Sequence, residues 1–465
     1  MITTVLDQSG DFARTCTLVV GSQFPTLPPA IVVTVPPDYE SYLAWDEKPG
    51  ETRRAAELLQ NALAGLQRRH PDLAWVATEP VVDSPAVKPA DFWEGSPRVR
   101  LADISVPGAY TAQGQRRIQA FLGALSDACP KARPPVDAFW RQYRREYYQA
   151  WYKFCAQFAA IASPLEGPSA RETMSLLATD ENPYWRLIHR AAAELAPPQA
   201  FADPPAWVQL LATLDAAIRF SQEGEAKRGP GAAKKGLAVP EDAKEKLLRE
   251  IREVAPVAEN DRSDSEAREK LEPMVRVVRE YRRDMALIAP IAASRENAFR
   301  MISGAFSEQP VPPDPKSPLH AAYGRLISLK ELVKNGASSK EGDTVWQLFS
   351  LPLASLLSYG ASVACSVIEE HWEKDIWAKA DNVLADARPR LLFDKTDGLV
   401  PRFREGWANP FLASRSSVLV PRKIYEKTPF EQSIGFEPQF LSFLAKGETA
   451  AATENIPRTI TRCGR

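Results

Sequence analysis

The chain has 465 residues, of which 45% are hydrophobic and 25% are charged, shares close to those of ordinary folded proteins. This composition excludes a collagen-like or wholly disordered chain, and the length suggests about three domains or one elongated, multi-part body. The 58 Lys and Arg residues nearly cancel the 59 Asp and Glu residues, and the net charge of −1 excludes a global attraction to nucleic acid or anionic lipid.

The first part of the chain, residues 1–104, predicts a small mixed α/β module of unknown role. The β-branched run 31–35 and the segment 75–78 each favour a short strand, and the leucines of 51–69 recur between them at helical spacing. The amino terminus has no basic region followed by an apolar run, so we predict no signal peptide.

From residue 105 onward the pattern becomes helical, and the predicted fold class is therefore mainly α: an elongated multi-helix bundle with the mixed module in front. The strongest helix begins at Val136, where aromatic residues recur every three or four positions as far as Phe158. Helical spacing of apolar residues predicts further helices around 118–125, 169–177, 183–195, 205–220, 274–288 and 319–333.

A basic segment rich in small residues, 224–240, predicts a flexible linker because it cannot bury a core. It separates two predicted helical domains, 105–223 and 241–465. Within the second, the uncharged stretch 348–368 reaches about the length of a membrane span. Its prolyl and seryl residues and the acidic pair that follows favour a buried helix, so we predict no transmembrane segment.

Catalytic chemistry is not apparent in the sequence. It contains neither a phosphate-binding loop with the Gly-Lys-Ser/Thr ending nor a Gly-x-Ser-x-Gly turn. The four histidines are isolated, without the spacings of zinc ligands. Glu369, Glu370 and His371 could form an acid/base cluster, but a solvated ion-pair face is the simpler interpretation. We predict no catalytic residue, no cofactor and no metal.

The five cysteines are odd in number and widely scattered, and none forms a C-x-x-C pair. This pattern favours neither a zinc site nor a disulfide framework, so buried thiols are the expected state. The residues concerned are Cys16, Cys129, Cys155, Cys365 and Cys463.

The segment 106–114, with a Pro-Gly turn followed by Tyr-Thr and a further Gly, resembles the start of the helical region of IcmF/TssM proteins. Thr111 is placed to cap the helix that begins near Ala112. Later segments resemble that family in the same order and spacing, from about residue 105 to about residue 445. The residues that carry the resemblance are Pro107, Gly108, Tyr110, Thr111, Gly114, Tyr143, Glu146, Tyr147, Trp151, Pro183, Trp372, Gly398, Phe403, Pro410 and Phe411.

The resemblance implies a structural, non-catalytic component of the type VI secretion trans-envelope core complex, on the periplasmic side of the bacterial inner membrane. The implied partners are other copies of the chain, the inner-membrane partner and the outer-membrane lipoprotein, with no nucleic acid and no small-molecule substrate. The family's membrane helices, nucleotide-binding-like domain and β-rich terminal domain, which meets the lipoprotein in relatives, have no counterpart here. These departures leave a degenerate, split or truncated relative of the family open. The alternatives are a soluble helical adaptor or scaffold unrelated to secretion, and an enzyme with an unrecognised site.

Overall fold

The fold is mainly helical, as predicted, with helices accounting for 76% of the residues that can be described. The structure is a computed structural model. The described residues are 72–77, 84–93, 104–128, 136–159, 168–196, 204–226, 261–308, 316–333, 340–394, 396–415, 418–425, 430–446 and 456–462, together with Arg54, Glu57, Asn61, Gly65, Arg68 and Arg69.

Thirteen α-helices can be numbered in chain order along the described residues. They are α1 Ala112–Ala128, α2 Val136–Ala159, α3 Pro168–Leu177, α4 Pro183–Leu195, α5 Ala206–Ala226, α6 Asp261–Ile288, α7 Arg295–Ser307, α8 Pro318–Leu332, α9 Lys340–His371, α10 Ala378–Asp381, α11 Arg388–Phe393, α12 Leu399–Phe403 and α13 Pro438–Lys446. A wider π-helical turn, Trp372–Trp377, continues α9, and short 3-10 helices lie at Ala74–Ala77, Pro89–Asp91, Gly108–Tyr110, Ala289–Ala292 and Asn409–Phe411.

Two small antiparallel sheets near the carboxyl end were not predicted. The first pairs β1, Leu412–Arg415, with β2, Val418–Pro421, so that Leu412 lies opposite Pro421. The second pairs β3, Lys423–Ile424, with β4, Gln432–Ser433. Both are only two strands wide, so packing against helices has to supply most of their stability.

The predicted amino-terminal α/β module lies mostly outside the described residues, including the strand expected at 31–35. The prediction of a strand at 75–78 is wrong, because Ala74–Ala77 forms a 3-10 helix. An Asp72 carboxylate oxygen accepts the amide of Ala74 at 3.3 Å, and Leu73 has a φ of 57°. This local hydrogen bond bends the chain where the β-branched sequence alone favoured extension.

The described residues fall into two compact units. One contains those up to Asp91 together with 104–158, and the other contains Phe92 and Trp93 together with those from Ala159 onward. The predicted helical domain 105–223 is thus shared between them. Of the predicted linker 224–240, the first three residues still belong to α5, and the rest lies outside the described residues.

In the second unit the central element is α9, which contacts α3, α4, α5, α7 and α8. With the turn and short helix that follow, it is long and apolar enough to cross a membrane, the one such helix among the described residues. Its large apolar residues, such as Phe349 and Leu357, are fully buried against the neighbouring helices. A Cβ on Gly360 would lie 2.4 Å from Cγ1 of Ile302, so α7 and α9 approach closely at this point.

Candidate functional site

In the first unit, the family-like residues 107–114 form a tight turn at the start of α1. The Thr111 hydroxyl donates to the carbonyl of Gly108 at 2.8 Å and accepts the amide of Gly114 at 3.1 Å. The second contact is the helix cap expected from the sequence, since it satisfies an amide that has no partner within the helix. Pro107 begins the turn, and its carbonyl accepts the amide of Tyr110 at 2.8 Å.

The two glycines of this turn are required by close backbone approaches. A Cβ on Gly108 would lie 1.8 Å from the carbonyl oxygen of Ser84, and a Cβ on Gly114 would lie 2.0 Å from the carbonyl oxygen of Gly108. Both distances are far inside van der Waals contact, and the obstructing atoms are backbone. Any side chain at either position would displace the turn.

Tyr110 joins this turn to α2. Its hydroxyl donates to the Glu146 carboxylate at 2.7 Å, and its carbonyl accepts the indole N–H of Trp151 at 2.8 Å. Tyr143 donates its hydroxyl to the carbonyl of Ala109, and the Tyr110 ring lies 5.6 Å from that of Tyr143 and 6.5 Å from that of Tyr147. We call this set the tyrosine latch.

Electrostatics keep the tyrosine latch in its donating state. Burial, reinforced by the hydrogen bond and the charge of Glu146, raises the pKa of Tyr110 well above its usual range. The hydroxyl therefore remains protonated at physiological pH and donates to the carboxylate. The tyrosine latch fixes the turn on α2.

In the second unit, Pro183 occupies the first turn of α4, and the side chain of Asn182 caps that helix by accepting the amide of Trp185 at 2.9 Å. The Trp185 ring then stacks on Phe349 of α9 with ring centroids 5.7 Å apart. Proline at this position needs no amide partner, so the family-like residue serves to start the helix.

Trp372 and Phe403, far apart in sequence, meet at the end of α9. The Trp372 ring lies 5.1 Å from that of Phe403, 5.1 Å from that of Phe440 and 5.7 Å from that of Phe443, and its indole N–H donates to the carbonyl of Pro457 at 2.7 Å. The ring is fully buried, and every polar atom it carries has a partner.

The last three family-like residues shape the chain near this cluster. Gly398 precedes α12, and a Cβ there would lie 2.4 Å from the carbonyl oxygen of Asp394. Pro410 lies in the 3-10 helix before β1, which places Phe411 5.0 Å from the ring of Phe306 on α7. These residues turn and anchor the backbone.

The acidic pair and the histidine at the end of α9 each have separate partners. Glu369 accepts the backbone amides of Ile460 at 3.1 Å and Thr461 at 3.0 Å, and also the Thr461 hydroxyl at 3.0 Å. Glu370 pairs instead with Arg295 at 2.9 Å. The ion-pair interpretation is thus right for Glu370 and wrong for Glu369.

His371 has partners other than those of Glu369. Its Nδ1 lies 2.9 Å from a carboxylate oxygen of Asp375, and its ring stacks on Trp407 with centroids 3.6 Å apart. The hydrogen bond from His371 is the main reason that the pKa of Asp375 lies below its usual range.

The segment bound by Glu369, residues 456–462, is called here the carboxyl-terminal strap. Within the strap, the side chain of Ile460 is fully buried. The carbonyl of Ile460 accepts the amide of Glu437 at 2.8 Å, and the amide of Arg462 donates to the carbonyl of Gly435 at 2.6 Å. Arg458 covers the ring of Trp377 at 5.1 Å. The strap is therefore held on one side by α9 and on the other by the chain before α13.

The other two described histidines have their own separate partners. His189 is exposed and pairs with the buried Asp215 at 3.0 Å. His320 is buried between Tyr425, whose hydroxyl lies 2.8 Å from Nδ1, and the carbonyl of Ala305, 2.8 Å from Nε2. Because that carbonyl can only accept, Nε2 carries the proton and Nδ1 accepts from Tyr425. Among the described residues, no three metal-ligating side chains come together.

The expectation of buried thiols holds for one described cysteine and fails for the other. Cys155 on α2 is a buried free thiol, and burial raises its pKa to about 12. Cys365 on α9 is disulfide-bonded. The cysteine spacing gave no indication of this bond, because spacing along the chain does not report which residues a fold brings together. Cys16, Cys129 and Cys463 lie outside the described residues.

No protein-family model, curated protein or solved structure matches this chain. The resemblance to IcmF/TssM proteins rests on the motif residues themselves. The contacts that sequence reasoning missed are those of Glu369 and His320. Their partners lie many residues away along the chain, and no local signal marked them.

Proposed function

We propose that the chain is a structural, non-catalytic component of the type VI secretion trans-envelope core complex and that it acts by protein–protein assembly. The observation that carries this proposal is the role of the residues shared with IcmF/TssM proteins. In both units they cap helices, permit close backbone approaches or fill aromatic clusters, as Thr111, Gly114 and Trp372 illustrate. Such residues maintain a scaffold, and a scaffold acts through the surfaces that it supports.

The engagement of the polar side chains supports a scaffold over an enzyme. Glu369, one of the three residues of the acid/base cluster considered from the sequence, uses its carboxylate to hold backbone amides, and buried His320 uses both ring nitrogens for structural hydrogen bonds. Burial also lowers the pKa of His320, which keeps the ring neutral in this arrangement. Groups held in this way are not available to move a substrate proton.

The disulfide at Cys365 supports a periplasmic location, as the family resemblance implies. Disulfides form and persist in oxidising compartments, including the bacterial periplasm, and are rare in the cytosol. Cys365 is buried on the central helix of its unit. A bond at such a position favours folding in an oxidising compartment.

Co-purification tests the proposal directly. The chain, exported to the periplasm behind a cleavable leader, is expressed with the periplasmic domains of the inner-membrane partner and of the outer-membrane lipoprotein. Its mass in solution is measured by light scattering. We expect self-association or stable capture of at least one of the two domains. A monomer that captures neither domain would contradict the proposal and favour a scaffold unrelated to secretion.

Exposed apolar residues provide matched variants for the same experiment. Leu384 is 79% exposed and Leu287 is 60% exposed, so replacing either with Asp changes the surface without opening the core. We expect assembly to weaken with the variant that lies in the contact surface and to persist with the other. Loss of folding in both, seen by circular dichroism, would show that the substitutions act on the core.

A further inference from the structure

We propose that the surface beneath the carboxyl-terminal strap is a peptide-binding groove, and that the strap of a second copy of the chain exchanges into it in place of the chain's own. The inference goes beyond the proposed function, because it names the segment through which two copies would join and does not depend on membership of a secretion complex. The contacts that carry it all lie in the second unit.

One edge of the groove binds the backbone of the strap in the way that a sheet edge binds an added strand. The amide of Glu437 donates to the carbonyl of Ile460 at 2.8 Å, and the carbonyl of Gly435 accepts the amide of Arg462 at 2.6 Å. An antiparallel bridge lies between these two hydrogen bonds. Main-chain bonds of this kind give affinity for a peptide, while pockets for its side chains give specificity.

The other edge of the groove belongs to α9 and the π-helical turn that follows it. The Glu369 carboxylate accepts the amides of Ile460 and Thr461 and the Thr461 hydroxyl, and the indole of Trp372 donates to the carbonyl of Pro457 at 2.7 Å. The strap is thus bonded from both sides, mostly through its backbone, by groups that belong to other elements. This is the arrangement of a bound peptide.

Three side chains of the strap, spaced two residues apart, give the groove a sequence preference. The Ile460 side chain is fully buried. On either side of it, the Arg458 guanidinium lies 5.1 Å from the centroid of the Trp377 ring, and Arg462 Nε lies 3.1 Å from a carboxylate oxygen of Glu437. The groove therefore takes a segment in which one apolar residue is flanked, two positions away on each side, by a cation.

The segment with this chemistry is the strap itself, and every copy of the chain carries it. The contacts named above are non-covalent, so the strap of a neighbouring copy can form the same set, and an exchange of identical elements regains the contacts that it gives up. A tethered segment competes for its own site at an effective concentration of about 1 mM. Exchange is therefore favoured where copies are held close together, as they would be in an assembly.

Competition by a peptide tests the groove on the full wild-type chain. The peptide is 456–462, Ile-Pro-Arg-Thr-Ile-Thr-Arg, blocked at both ends. At about 10 mM it exceeds the effective concentration of the strap roughly tenfold, so it should displace the strap and speed hydrogen exchange at the amides of 460–462 by at least about tenfold. The same peptide with Ile460→Asp is the matched control and should leave the exchange unchanged. Unchanged exchange with the wild-type peptide would overturn the proposal.

Mixing two full-length variants tests the exchange between copies. Glu369→Gln keeps the strap and weakens the groove, by roughly 30-fold if it costs about 2 kcal/mol, whereas Ile460→Asp keeps the groove and disables the strap. The weakened groove then competes for its own strap at an effective concentration of only about 30 μM, so at about 0.2 mM the strap should enter the groove of the other variant.

Light scattering at that concentration reads the result. We expect a larger mass in the mixture than in either variant alone, and no gain when Glu370→Gln replaces Glu369→Gln, because that variant keeps an intact groove for its own strap. Should Ile460→Asp lose its helical circular dichroism, Thr461→Pro takes its place, since it removes an amide and a hydroxyl that Glu369 accepts. A mixture with the same mass as its components, made from folded variants, would overturn the exchange.

Discussion

Replacing Glu369 with Gln tests whether one carboxylate holds the carboxyl-terminal strap on α9. The carboxylate accepts the amides of Ile460 and Thr461 and the Thr461 hydroxyl, all at 3.0–3.2 Å. Hydrogen bonds to a charged group contribute about 1.5–3 kcal/mol each at most, and Gln keeps one acceptor oxygen while turning an NH₂ group toward donors. Because the site is half-buried, we expect a loss of about 2 kcal/mol, or a roughly 30-fold increase in strap opening.

Hydrogen exchange at 460–462 measures this loss. Glu370→Gln is the matched control. It removes a carboxylate one residue away whose partner, Arg295, is 51% exposed, and exposed ion pairs contribute about 1 kcal/mol or less. We expect fast exchange in the first variant and nearly wild-type exchange in the second. Equal rates in the two variants would show that Glu369 does not anchor the strap.

Four further substitutions test other parts of the fold, each by urea unfolding. Tyr110→Phe removes the hydroxyl that donates to Glu146, and we expect a loss of about 1–2 kcal/mol. Gly360→Ala places a Cβ 2.4 Å from a side chain of α7 and should cost about 1–3 kcal/mol, whereas Gly304→Ala, with open space around it, should stabilise its helix by about 0.5–1 kcal/mol. Burial lowers the pKa of His320, so the unfolded chain binds its proton first, and stability should fall as the pH drops below about 6.5. His320→Gln should lack that part of the slope, and an unchanged slope would contradict the assignment.

Helices were predicted well wherever the information is local. The aromatic repeat beginning at Val136 predicted a helix to Phe158, and α2 runs from Val136 to Ala159. The cap at Thr111 was also predicted, because a cap involves residues only three positions apart. In both cases the side chains that determine the structure are neighbours in sequence, so their spacing along the chain is enough to predict the helix or its cap.

Contacts between distant segments could not be predicted in the same way. A helical period identifies the buried face of α9 but not what covers it, and the strap that binds Glu369 lies about ninety residues further on. The disulfide at Cys365 was missed for the same reason. The prediction of a strand at 75–78 failed for a local reason. The Asp72 side chain stabilises a turn that competes with the preference of the β-branched sequence for an extended conformation.

The geometry of the residues that resemble the IcmF/TssM pattern bears on where the proposed assembly function would lie. Gly108 and Gly114 are required by backbone atoms within 2.0 Å of a Cβ, and Trp372 is enclosed by aromatic rings. Gly114 and Trp372 are buried, so a partner in the proposed assembly would contact exposed positions such as Leu384 instead. Substitutions at the shared residues should therefore reduce stability and assembly together, whereas substitutions in the contact surface should reduce assembly alone. That separation distinguishes a scaffold from an active site, where the shared residues themselves would meet the ligand.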